Sequence, residues 1–265
     1  MRLSKYTYYL KSIFTLIFGV RNPLKVIGLF LRSKAKDLVR IDLRARKISM
    51  WVRGRVDAWS VKEAILDDFY EMYGELIEPD WTVVDIGAAI GEFTVLAAKK
   101  ALRGKVYAFE PNPTSVEILQ KNLKQNQIKN VEVIRKGVWS STTRLSLNLK
   151  NDEPLQAVSS PVADVNAEII EFETTTLQEY LKEAGIEEID LLKSDSEGAE
   201  YEVFFSMPAS VLRKIKRIVM EYHDLDDQKT HQSLVKYFEE NGYLTRLTKN
   251  QVHDDIGYLY AERSG

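Results

Sequence analysis

Residues 83–98 read Val83-Val84-Asp85-Ile86-Gly87-Ala88-Ala89-Ile90-Gly91-Glu92-Phe93-Thr94-Val95-Leu96-Ala97-Ala98. A β-branched run ends in an acid, two glycines follow, and a helical period begins at once. Gly87 and Gly91 lack a Cβ, so the backbone can turn tightly and come close to a ligand. A helix opening near Gly91 aims its unpaired N–H groups at that ligand. The spacing is G-x-x-x-G, not the G-x-G-x-x-G of a dinucleotide loop. Asp85 would also repel a pyrophosphate and suits a cationic or amine-bearing ligand better. An NAD dehydrogenase is disfavoured on both counts.

Working outward, strand-like runs at 83–86, 106–109, 131–134, 189–192, 218–221 and 257–260 alternate with helix-like periods at 92–101, 114–126, 177–184, 210–214 and 230–241. Such alternation predicts βαβ units and a doubly wound, mostly parallel α/β sheet. Ligands of these sheets lie beyond the carboxyl ends of the strands. The second run ends in Phe109-Glu110-Pro111-Asn112-Pro113, with Glu110 twenty-five residues after Asp85. An acid there can accept hydrogen bonds from both hydroxyls of a ribose. Pro113 fits the first turn of the next helix, where a missing N–H costs nothing. The glycine turn and this acid together point to a nucleoside. A fourth run leads into Asp190-Leu191-Leu192-Lys193-Ser194-Asp195-Ser196-Glu197-Gly198-Ala199-Glu200. Acids in that number are costly to bury unpaired, so they belong to a site or a solvated loop.

These motifs resemble those of the class I S-adenosylmethionine-dependent methyltransferases over about residues 81–265. Within that class the chain resembles the FkbM family. The carriers are VDIGAAIGEFTVLA, FEPNP, the Thr176-Leu177 pair before a helix, and the L-K-x-D-x-E-G-x-E pattern matched by Leu192, Lys193, Asp195, Glu197, Gly198 and Glu200. The family's turn reads D-x-G-A-N-x-G, and this chain has Ala89 in the Asn place. The resemblance implies a Rossmann-like fold with a seven-stranded sheet and S-adenosylmethionine as cofactor. The turn with Gly87, Ala88 and Gly91 would hold its methionine part and Asp85 its amino group, directly or through water. Glu110 and Asn112 would stand at the ribose, and Val138, in Gly137-Val138-Trp139, by the adenine. The implied reaction is methyl transfer to a hydroxyl of a small molecule, sugar or glycolipid.

An alcohol is a poor nucleophile, and a general base is expected. The fifth run ends in Met220-Glu221-Tyr222-His223-Asp224, just where the cofactor should sit. An unperturbed imidazole accepts a proton near neutrality. His223 is therefore the candidate base, oriented by Asp195 or Glu221, with Glu197 and Glu200 facing substrate. In the alternative, Asp195, Glu197 and Glu221 hold a divalent metal that acidifies the acceptor hydroxyl. His231 and His253 have no such setting and read as surface residues.

The chain has 265 residues, enough for one large domain or one domain with an extension. At 45% hydrophobic and 29% charged it is neither disordered, collagenous nor a polytopic membrane protein. Cysteine is absent, which excludes disulfides, thiolate metal sites and a cysteine nucleophile, and suits a reducing cytosol. The net charge of −2 conceals an asymmetry. Residues 1–55 hold fourteen Lys or Arg against Asp37 and Asp42, a sum of +12, leaving −14 for the rest. We divide the chain into a basic extension, 1–80, and a cofactor-binding domain, 81–265.

Within the extension, the apolar stretches 13–20 and 26–31 are split by Arg21-Asn22-Pro23. The first resembles a weak signal-peptide core but lacks a small-x-small cleavage site. Both are too short to span a bilayer. They read as packing on the main body or on another subunit, with peripheral membrane contact as the alternative. The protein reads as cytoplasmic, and that alternative would place it at the inner membrane surface. Residues 38–43 and 47–52 read as a hairpin around Ala45-Arg46. Residues 60–73 read as one helix capped by Ser60, and 150–166, with Pro154 and Pro161, as a surface loop. An RNA methyltransferase with a basic arm and a non-catalytic scaffold are rival readings. The chain has no Asn-Pro-Pro-aromatic tetrapeptide, and the Asp195–Glu200 acids would repel phosphates, so nucleic acid is disfavoured.

Overall fold

The computed structural model describes residues 3–31, 38–150, 153–158, 168–250 and 252–264. Two helices, α1 (Leu3–Gly19) and α2 (Pro23–Leu31), precede a hairpin of β1 (Val39–Asp42) and β2 (Ser49–Val52). Then come α3 (Arg55–Val61), a π turn (Lys62–Leu66) and α4 (Phe69–Tyr73). The main body follows as β3 (Thr82–Ile86), α5 (Glu92–Lys100), β4 (Lys105–Phe109), α6 (Pro113–Gln125), β5 (Val131–Ile134), β6 (Gly137–Val138), β7 (Arg144–Lys150), β8 (Glu153–Val158) and β9 (Glu168–Thr175). It closes with α7 (Leu177–Ala184), β10 (Leu191–Ser194), α8 (Glu200–Phe205), α9 (Ala209–Leu212), β11 (Arg217–His223), α10 (His231–Glu240), β12 (Tyr243–Lys249) and β13 (Ile256–Arg263).

Seven strands form the central sheet in the order β12-β13-β11-β10-β3-β4-β5, with β13 antiparallel to both its neighbours and the other pairs parallel. The sheet winds one way from β3 to β4 and β5, and the other way from β10 to β11. The switch point is therefore the crevice between β3 and β10, where such sheets bind ligands. Alternate residues feed two apolar layers. Val83, Val106, Ala108, Leu191 and Val219 join the layer that holds α5 and α6. Val84, Tyr107, Phe109, Leu192, Ile218 and Met220 join the layer that holds α7, α8 and α10. With both faces covered, these strands are apolar runs rather than alternating ones.

The extension shares the first of these layers. Ile41, Met50, Val52 and Ile65 are buried in one cluster with Phe93, Leu96 and Leu119, each contributing about 1.5–3 kcal/mol of burial. Asn122 of α6 and Asn126, the residue that caps its C-terminus, satisfy the edge of β2. Trp51 N donates to Asn122 Oδ1 at 2.6 Å and Ser49 N to Asn126 Oδ1 at 3.0 Å, while Asn126 Nδ2 returns a bond to Ser49 O at 2.7 Å. An exposed ladder of unpaired groups is thereby closed by side chains.

Two local expectations are corrected. The helix expected over 60–73 is broken into α3, the π turn and α4, and Ser60 lies inside α3 rather than at its cap. Lys62 sits at the break. It is buried and paired with Asp67 at 2.5 Å and Ser12 Oγ at 2.7 Å, over the rings of Tyr8 and Trp59. Pairing that cation with groups on both sides outweighs helical regularity. The loop expected over 150–166 contains β8, which pairs with β7 in a second sheet of order β6-β9-β7-β8. Residues 151–152 and 159–166 of that stretch lie outside the described residues.

Candidate active site

The turn after β3 is held by backbone strain and close approach. Gly87, Ala89 and Gly91 have φ of +75°, +46° and +88°. A Cβ on Gly87 would fall 1.9 Å from Asp195 O, and one on Gly91 would fall 2.2 Å from Leu119 Cδ1. The backbone contact excludes a side chain at Gly87, and the left-handed φ strains one at Gly91. Gly87 N and Ala88 N donate to Phe109 O at 3.1 and 2.9 Å, tying the turn to the end of β4. Ala88 is itself buried.

Glu110 locks the same turn. Its Oε2 accepts from Ala89 N and its Oε1 from Asn112 N, both at 2.8 Å. Burial pushes its carboxyl up to about 7, although the two N–H donors oppose that. Each oxygen keeps a second lone pair for a ribose hydroxyl. Asn112 caps α6, accepting from Thr114 N at 3.0 Å and Ser115 N at 3.4 Å, so its side-chain oxygen is committed to the helix. Val138 is buried in the apolar layer with Leu177 and Tyr180.

Asp85, expected near the cofactor's amino group directly or through water, is committed to partners within the chain. Asp85 is fully buried, its Oδ1 lies 3.0 Å from Lys193 Nζ, and its Oδ2 accepts from Thr94 Oγ1 at 2.5 Å. Lys193 is its register partner on β10 and also donates to Gly87 O at 2.8 Å. Burial opposes the charge on Lys193, but Asp85, Asp195 and Glu92 together hold the ammonium above its ordinary range. The pair braces the glycine turn from beneath. Beside it, Glu92 Oε2 is buried with no hydrogen-bond partner among the described residues, and burial pushes that carboxyl up to about 8.

Beyond β10 and β11 the acids converge on His223. Its Nε2 lies 3.6 Å from Glu197 and its Nδ1 lies 3.7 Å from Glu200. Burial disfavours the imidazolium, but Glu200, Asp195 and Glu197 outweigh it and raise His223 to about 10. Asp195 Oδ2 accepts from Tyr70 OH at 2.8 Å. Burial, then Asp195, pushes the Glu221 carboxyl well above the usual range. Glu197 is half exposed, at the left-handed φ of +53°.

Glu200, expected to face substrate, is fully buried. Its oxygens accept from Ser196 N at 2.8 Å, Ser196 Oγ at 2.9 Å and Gly198 N at 3.0 Å, so it shapes the loop from inside. The hard-ligand set expected from sequence was Asp195, Glu197 and Glu221. The structure instead brings donor atoms of Asp195, Glu197 and His223 within 4.8 Å of one another. His231, expected at the surface, is half-buried, stacks on Tyr222 and pairs its Nδ1 with Asp224 at 2.7 Å.

The turn, the β4 acid and the acid loop after β10 thus surround one switch-point crevice. The family profile described as the Methyltransferase FkbM domain matches residues 85–245. The chain belongs to the FkbM methyltransferase family. It is 27% identical over 252 residues to methyltransferase sdnD of Sordaria araneosa, covering 83% of this chain and 96% of that protein. It is 26% identical over 192 residues to 31-O-demethyl-FK506 methyltransferase FkbM of Streptomyces tacrolimicus, covering 62% of this chain and 74% of that one. A 28% match over 204 residues to the AMB antimetabolite synthetase AmbE of Pseudomonas aeruginosa covers 64% of this chain and spans 10% of that protein. The fold is that of the methyltransferase FkbM from Methylobacillus flagellatus, with a TM-score of 0.50 and 14% identity over 91% of this chain and 59% of that one.

FkbM membership implies S-adenosylmethionine. The residues present fit it: amides in a strained glycine turn, free lone pairs on Glu110, and an unpartnered buried oxygen on Glu92. Two residues at the site carried no assigned role in the sequence reading. Lys193 stood inside an otherwise apolar strand, which marks a buried, partnered cation. Tyr70 lies 125 residues from Asp195 in a helix of the extension, and nothing local announces that contact.

Proposed function

We propose that the protein is an O-methyltransferase acting on a hydroxyl of a small molecule, sugar or glycolipid. The observation that carries this reading is His223, held among carboxylates at the end of β11, beside the loop that abuts Gly87. Bound S-adenosylmethionine supplies an electrophilic methyl group on sulfur. The turn at Gly87, Ala88 and Gly91 and the Glu110 carboxylate hold it. Asp85 acts through Lys193 to fix that turn.

Neutral His223 takes the proton of the acceptor hydroxyl as the oxygen attacks. Its Nδ1 is buried toward Glu200, so Nε2, on the side of the exposed Glu197, is the accepting atom. Glu200, Asp195 and Glu197 stabilise the imidazolium that forms. Tyr70 keeps the Asp195 carboxylate in place. Glu197 offers its free oxygens to neighbouring hydroxyl donors, which suits a polyhydroxylated acceptor and disfavours a phosphate backbone. The name of the Streptomyces relative, an O-demethyl-FK506 methyltransferase, supports oxygen as the methylated atom.

The test is a screen of hydroxylated small molecules, glycans, glycolipids and RNA with isotopically labelled S-adenosylmethionine, the product mapped by mass spectrometry. A methyl ether on a hydroxylated acceptor supports the reading. Label confined to a nitrogen or to RNA refutes it.

A further inference from the structure

The extension fastens one face to the body and leaves the other bare. On α1, Leu16 is buried, as is Val20 just after it, Ser12 meets Lys62, and Tyr8 OH donates to Glu63 at 2.5 Å. On α2, Val26 and Leu29 enter the same core. The opposite face shows Leu10, Ile13, Phe14 and Phe18 of α1 and Leu24 and Leu31 of α2, each 51–82% exposed. Positions 10, 14 and 18 form one helical stripe. α1 and α2 hold 17 and 9 residues, yet carry ten of the eighteen large apolar side chains exposed among the described residues. Single exposed apolar residues need no explanation, but a contiguous face does.

The charge around this face selects its occupant. Residues 1–36 contain eight Lys or Arg and no Asp or Glu. Lys11, Arg21 and Lys25 stand exposed on and between the two helices. Bulky apolar and aromatic side chains rimmed by cations suit an anionic lipid surface, where apolar groups enter the acyl boundary and cations meet headgroups. No helix among the described residues is long and apolar enough to cross a membrane, which leaves the in-plane mode.

We propose that the outward face of α1 and α2 docks the protein on an anionic lipid bilayer. α1 is fixed to the π turn through Lys62, and α4, which follows, carries Tyr70 to Asp195. The docked face and the loop after β10 are therefore linked through α1, the π turn and α4.

The full chain is sedimented with phosphatidylcholine vesicles, with or without about 30% phosphatidylglycerol, at low and high salt. Binding that needs the anionic lipid and falls with salt is expected. The triple variant K11Q/R21Q/K25Q should bind about 100-fold more weakly, from the loss of three surface cations. The variant F14Q/F18Q should lose at least about tenfold, from lost apolar insertion. Both variants should keep the wild-type circular dichroism and melting temperature. The wild-type vesicle series decides the matter even if a variant misfolds. Folded wild-type protein that ignores anionic vesicles overturns the proposal. So does a dimer, seen by light scattering, that F14Q/F18Q dissolves, because the face then belongs to a second copy.

Discussion

The protonation of His223 is the most informative quantity at the site, and it can be measured without knowing the acceptor. The chain has three histidines, His223, His231 and His253, so a nitrogen-labelled sample gives three imidazoles to titrate by NMR. An ordinary imidazole titrates near 6.5, whereas the carboxylates around His223 raise it to about 10. The perturbation is Glu197→Gln, which leaves the shape and removes one charge 3.6 Å from Nε2. Glu197 is half exposed, so its attraction is screened. At water-like permittivity that separation gives about 1 kcal/mol, or about 0.8 pH unit. The wild-type resonance should titrate near 10, the variant's lower by at least that amount, and His223→Gln should delete the signal and so assign it.

The kinetic corollary has a definite sign. The base must be neutral, and with a pKa of about 10 only about one molecule in a thousand is neutral at pH 7. Thus kcat/KM should climb about tenfold per pH unit between 7 and 9. Its upper break should move down in Glu197→Gln. A His223 that titrates at or below 7, or a resonance unmoved by Glu197→Gln, would refute the account of the carboxylate cluster. A pH profile flat over 7–9 would transfer the base role to a carboxylate.

His223→Gln should abolish turnover while leaving S-adenosylmethionine affinity within about twofold, because the proposed mechanism sets this residue against the acceptor rather than in the cofactor cradle. Loss of cofactor affinity, by calorimetry, would instead place it in the cradle. Glu110 is raised to about 7 by burial in the free chain, and ribose hydroxyls favour its charged form. Cofactor binding should therefore release about half a proton at pH 7 and tighten about tenfold from pH 6 to 8, then level off. Calorimetry in two buffers of different ionisation heat reads both, and a flat affinity without proton release would remove Glu110 from the ribose. Lys193→Met should cost about 3–5 kcal/mol in urea unfolding, since it strands Asp85 fully buried and unpaired. A loss under about 1 kcal/mol would mean that the pair is not a brace.

What could be read from the chain divides by range. The central sheet was legible because a strand buried on both faces is a short apolar run, and Val83-Val84 or Leu191-Leu192 announces itself locally. β8 was not, because Pro154 signals a turn. Yet β8 is an edge strand in the order β6-β9-β7-β8, where a missing N–H costs little. Likewise, Gly87, Glu110, Asp195 and His223 were visible as residue types standing at strand ends. Their states were not. Asp85 looked like a free carboxylate until Lys193 of the neighbouring strand neutralised it. Glu200 looked like a substrate contact until its oxygens proved to be spent on its own loop. His223 looked like a neutral base, yet three carboxylates that follow β10 in sequence raise its pKa. A residue's identity is a property of one position, whereas its charge is a sum over neighbours within a few ångströms, drawn here from β10, β11 and the extension. The site's chemistry therefore rests on pairings such as Tyr70 with Asp195, so a substitution in the extension that moves Tyr70 can alter proton transfer without touching a single family motif.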